Sequence, residues 1–152
     1  MKGYGLIRQA YSQVEKYYIK IIDDAVFRKN NAEYLKFIEF SRINEYAYFV
    51  LFWGQFESLI NDKAFEIEGE YFKEIGFMLR VQLLVSQTHE FYREIDRYYY
   101  WRCELAHGRI SEFPELTLAT IFDKIEEIIE TINNNPLPIG EDFYDFFKME
   151  ND

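Results

Sequence analysis

Arg102 and His107 stand five positions apart in the stretch WRCELAHG, residues 101–108. A guanidinium is charged at every physiological pH and presents its donors as a planar fork, which suits the non-bridging oxygens of a phosphate. An imidazole, with an unperturbed pKa near about 6.5, gives or takes a proton at neutral pH. Wound at about 100° per residue, residues 89–107 place Phe91, Ile95, Tyr98, Arg102, Leu105 and Ala106 on one arc. Glu90, Arg93, Glu94, Arg97 and Glu104 fall on the opposite one. Arg102 therefore lies on the apolar side, where a charge needs a partner or a cleft because its desolvation costs several kcal/mol. His107 is about 140° round, on a border stripe shared with Asp96, Tyr100 and Cys103. The two side chains converge at the helix end, across a partner's surface, or both.

Supporting groups follow from the same spacing argument. Glu57 and Asn61, one turn apart on an earlier helix, are candidates to pair with Arg102. Cys103 reads as a small buried hydrophobe, since nothing around it activates a thiolate. Arg97 alternates with glutamates at helical spacing, the pattern of a solvated salt-bridged face that a dimer could turn into a phosphate track. His89, in a first helical turn, is expected to be an exposed polar residue. The acid pairs Asp23 with Asp24 and Glu66 with Glu68 have no His or Cys at ligand spacing, so neither a metal site nor a cofactor is expected.

The elements that must position these residues are helical throughout. A stripe of Leu6, Ala10, Val14, Tyr18, Ile21 and Ala25 predicts a long amphipathic helix over 6–27. The polar RKNN at 28–31 predicts a turn. Apolar spacing resumes at Ala32 and, after a bend expected near Ser41, runs through 43–67 with hydrophobic residues almost all round, the mark of a central helix. A shorter helix is predicted over 70–85, irregular near Gly76. Ser86 or Thr88 is expected to cap the helix that carries Arg102, and Gly108 to end it. A last helix is predicted over 116–132, stopped by NNNPLP. The acidic aromatic tail, residues 136–152, holds Phe143, Tyr144, Phe146 and Phe147 and is expected to dock in part. At 152 residues this makes one domain, an all-α up-and-down bundle of four to five helices.

In this setting RCELAHG resembles the R-x-x-x-x-H signature of the HEPN superfamily, small all-helical domains, and FWGQFESLIND at 52–62 resembles the aromatic helix that precedes the motif helix in several of its families. The resemblance implies a homodimer, formed through the helix bearing the motif, that cleaves RNA without a metal. It assigns Arg102 to the phosphate and His107 to proton transfer, with the RNA 2'-OH as nucleophile. It also implies a place in toxin–antitoxin or antiviral defence, with an antitoxin or defence-complex subunit as a further partner. The family pattern commonly has Asn, Asp or another polar residue after the arginine, where this chain has Cys103. A catalytically silent dimer used as a binding or regulatory module is the alternative.

Composition trims the remaining classes. The formal charge of −10 argues against a generic nucleic-acid binder and no DNA partner is expected. The acidity is concentrated, though: residues 112–152 carry 11 acids against Lys124 and Lys148, leaving residues 1–111 with 16 acids and 15 bases. The acidic tail is either a solvated surface or a phosphate mimic over a cleft. A single cysteine forms no internal disulfide, and the start MKGYGLIRQAYSQVEKYY lacks the pattern of a signal peptide, so a cytoplasmic protein is expected. The most apolar run, YAYFVLFWG at 46–54, is about half the ~20 residues of a membrane helix, and no span is expected. Phosphate-binding glycine loops, nucleophile elbows and Cys/His clusters do not occur in the sequence.

Overall fold

The computed structural model describes residues 2–109 and 117–134. They form α1 (Lys2–Phe27), α2 (Asn31–Glu68), a short 3-10 helix (Gly69–Glu74), α3 (Phe77–Gln82), α4 (Glu90–Ala106) and α5 (Leu118–Asn134), with no strand among the described residues. This is the expected all-α bundle. The tail 136–152 lies outside the described residues.

α1 and α2 are an antiparallel hairpin closed where RKNN predicted a turn. Lys29 takes φ 54 there, and the Asn30 side chain accepts the Glu33 N–H at 3.2 Å, satisfying one of the amides that a helix start leaves open. The buried stripe of α1 differs from the one expected. Tyr4, Tyr11 and Ala25 are buried, whereas Leu6 is 67% exposed and Ala10 is exposed. The tyrosine rings, with more area to bury than Leu6 or Ala10, set which side of the helix turns inward.

The bend expected near Ser41 is absent, because α2 is one continuous helix of 38 residues, about 57 Å long. A lone serine costs a helix interior only a few tenths of a kcal/mol, too little to break it. The predicted helix over 70–85 divides instead into the 3-10 turn and the six-residue α3, since Gly76 sits in extended backbone with ψ 160. α5 begins two residues later than expected and ends two later.

α2 is the spine of the core. Phe49, Phe52, Trp53, Phe56 and Ile60 are fully buried along one side of it. Phe52 stacks obliquely on Phe122 of α5 at 4.1 Å and meets Tyr4 of α1 edge-on at 4.6 Å. Trp53 meets Phe77 of α3 at 5.7 Å, and Phe77 in turn stacks on Tyr99 of α4 at 4.9 Å. Each such large apolar side chain contributes about 1.5–3 kcal/mol by leaving water, so the aromatic column fixes where α4 lies against α2. Arg8 ties α1 to α5 from outside the core, bonding Glu126 at 2.7 Å and also Asp123. Between Tyr11 and Tyr46 only Ala25 is buried, and the distal hairpin leaves Phe27 88% and Leu35 64% exposed.

Candidate functional site at the end of helix α4

α4 is held at both ends by local chemistry. Its N-cap is His89, whose Nδ1 accepts the Phe91 N–H at 3.1 Å. That corrects the expectation that Ser86 or Thr88 caps the helix and that His89 is simply exposed. Ser86, 5% exposed, instead accepts the Thr88 N–H at 3.3 Å one turn earlier. At the other end Gly108 stops the helix as expected, with φ 73. Its N–H bonds the Leu105 carbonyl at 3.0 Å and the Arg109 N–H bonds the Glu104 carbonyl at 3.2 Å. This pair of bonds closes the last turn around a left-handed residue, a conformation that costs a side-chain-bearing residue about 1–2 kcal/mol. The Arg109 guanidinium grips both Glu104 oxygens at 3.0 Å, adding a second clasp to the same turn.

His107 is the residue at that C-cap, with φ −86 and ψ 4, and its side chain is exposed. Arg102 is part-buried, with 38% of its side chain exposed, on the flank of the buried row Phe91, Ile95 and Tyr98. Glu57 faces it from α2, Oε2 lying 3.7 Å from the guanidinium. That separation makes an ion pair without a hydrogen bond, and partly exposed pairs of this kind contribute about 0–1 kcal/mol. The expected Glu57–Arg102 pairing is therefore present and weak. Asn61 does not join it: its Oδ1 accepts from Arg80 Nη1 at 2.7 Å, and Arg80 also donates to the Ile75 carbonyl at 3.0 Å. Asn61 thus anchors α3 to α2.

Tyr99, one turn before Arg102, is the member of this cluster that the sequence reading missed. Burial chiefly, and then the Cys103 thiol beside it, push its phenol up from the usual value, while the Arg102 charge pulls it back. The signal was available in the spacing, since Tyr99 precedes Arg102 by three residues and Cys103 by four. Cys103 is half-buried against it. Arg97 points elsewhere, paired with Glu94 and lying over the Tyr98 and Trp101 rings at 5.2 and 5.3 Å. On an ideal helix Arg102 and His107 are separated by about 7.5 Å along the axis and about 140° around it. A single copy thus offers a cation and an imidazole on neighbouring sides of one helix end.

A cavity of about 440 Å³ lies elsewhere, between the start of α1 and the end of α5, lined by Tyr4, Gly5, Glu126, Ile129, Glu130, Asn133 and Asn134. Among the described residues no three His, Cys, Asp or Glu side chains gather as a metal-binding group, and no helix is long and apolar enough to cross a membrane. No protein-family model matches the chain, and comparisons with curated proteins and with solved structures return no match.

Proposed function

We propose that the chain is a metal-independent endoribonuclease of HEPN type, working as a homodimer within a toxin–antitoxin or antiviral defence system. The observation that carries this reading is the state of Arg102: a part-exposed guanidinium at the end of α4, held only by a 3.7 Å ion pair with Glu57, in the same last turns as the exposed His107. A phosphate oxygen can replace a carboxylate that contributes so little. In the reaction the RNA 2'-OH attacks the adjacent phosphorus, the P–O2' bond forms and the P–O5' bond breaks. The proton lost from the 2'-OH is matched by one delivered to the leaving 5'-oxygen. His107 serves in that proton transfer and Arg102 stabilises the charge that builds on the phosphorus-bound oxygens. Glu57 sets the resting position of Arg102, and Cys103 packs behind it. The products carry a 2',3'-cyclic phosphate and a 5'-OH. No cofactor is required by this chemistry.

The Glu57–Arg102 pair also favours a second reading, a silent dimer in which the arginine is a structural cation and the chain serves as a binding or regulatory module, with an antitoxin or defence complex as its setting. Induced expression separates the two. Growth arrest that His107→Ala and Arg102→Ala each abolish, at equal protein levels, is the result expected of the ribonuclease. Growth arrest that survives both substitutions would remove Arg102 and His107 from any catalytic role.

A further inference from the structure

α2 has a second apolar face that the fold leaves unused. Wound at about 100° per residue, Phe40, Ile43, Ala47, Val50, Leu51 and Gly54 fall within one arc of about 100°, on the side of α2 away from Phe49, Phe52 and Phe56. Phe40, Ile43, Val50 and Leu51 are 40–56% exposed, and Ala47 and Gly54 are exposed as well. None of the charges between residues 40 and 58 lies on this arc. Arg42 stands over the Tyr46 ring at 5.9 Å, Glu45 accepts from Tyr11 of α1 at 3.4 Å, and Glu57 faces Arg102.

Gly54 adds an independent observation. Glycine is less favourable than alanine in a helix interior, yet a Cβ built at Gly54 meets nothing within 4 Å. Packing among the described residues gives no reason for a glycine there. Close approach of a backbone from outside does, because axes pack nearer where side chains are small.

We propose that this face docks a second copy of the chain, α2 crossing its symmetry mate with the closest approach at Gly54. A two-fold axis makes the patch meet itself, so an uncharged face answers an uncharged face. In a chain of formal charge −10, a basic partner would find no carboxylate on this arc to pair with. A helix pair packed along it, with the side chains flanking the crossing, buries on the order of 1,000 Å², about the least a specific dimer needs. The dimer expected from the motif was placed on α4, but the outward side of that helix exposes Arg93, Asp96 and Arg97, so the apolar contact belongs to α2. Glu57 lies one turn beyond Gly54, which sets the Arg102 site at the edge of the interface, facing the partner copy. That last consequence rests on the ribonuclease reading; the interface does not.

The test is the solution mass of the full chain by light scattering across micromolar concentrations, without RNA. Wild type is expected to be a dimer. Gly54→Leu, which the monomer accommodates, and Leu51→Glu are each expected to halve the mass while the helical circular-dichroism signal persists. A dimer that survives either substitution overturns the proposal. So does a wild-type monomer across the range, and thermal destabilisation of a monomeric Leu51→Glu would then assign the face to another segment of this chain. A dimer that Gly54→Leu breaks, in a protein that cleaves no RNA, leaves the interface standing and the ribonuclease fallen.

Discussion

Arg102 occupies a position where its charge is neither locked nor free. Its 38% exposure and 3.7 Å distance from Glu57 make the pair worth about 0–1 kcal/mol, so its removal should be felt in binding before it is felt in stability. Glu57→Gln is expected to shift the urea midpoint by less than about 1 kcal/mol equivalent and to tighten RNA binding severalfold, because phosphate no longer competes with a carboxylate for the guanidinium. A loss of several kcal/mol, or weaker RNA binding, would mean that Glu57 is integral to the site. Much of this geometry was legible in the sequence: the apolar-arc position of Arg102 demanded a partner, and helical spacing nominated Glu57. Asn61 was misassigned because Arg80 arrives from α3, and the break at Gly76 that orients α3 has no periodic signature. Tyr99 was overlooked because attention to the motif began at Arg102, one turn too late.

Among the elements, α1 shows how a period can be right and its phase wrong. Both candidate stripes repeat near 3.6, but the stripe through Tyr4 and Tyr11 buries aromatic rings against Phe52 and Phe122, while the one through Leu6 and Ala10 faces water. Leu6→Ala is accordingly expected to change unfolding free energy by no more than about 0.5 kcal/mol, and Tyr11→Ala to lower it by about 3 kcal/mol. Urea denaturation followed by circular dichroism distinguishes the two, and equal costs would contradict the packing described. Helix existence was readable in all five cases from apolar spacing and caps. Exact starts were not, since His89 caps α4 through a ring nitrogen and not through one of the side chains usual at an N-cap.

At the scale of the whole molecule, the aromatic core couples stability to alkaline pH. Burial, as the largest cause, holds the phenols of Tyr4, Tyr11, Tyr98 and Tyr99 above the usual value of 10. The folded chain therefore keeps protons that the unfolded chain releases, so this stabilisation is complete below about pH 10 and is lost as pH rises beyond it. The Tyr4 hydroxyl is buried without a hydrogen-bond partner among the described residues. Tyr4→Phe is expected to match or exceed wild-type stability at pH 7 and to flatten the decline between pH 9 and 11, measured by urea midpoints at each pH. A destabilised Tyr4→Phe at pH 7 would assign that hydroxyl a partner. The net charge, by contrast, was a poor guide to function: its sign was legible at once, but most of it sits beyond residue 111, away from Arg102.

Cleavage of a total RNA mixture in the presence of a chelator, by purified wild type beside His107→Ala, bears most directly on the account as a whole. Wild-type fragments ending in 2',3'-cyclic phosphate with 5'-OH partners, absent from the His107→Ala reaction, are the predicted result. Fragments of the same kind from both proteins, or ends bearing a 3'-OH and 5'-phosphate, would contradict it.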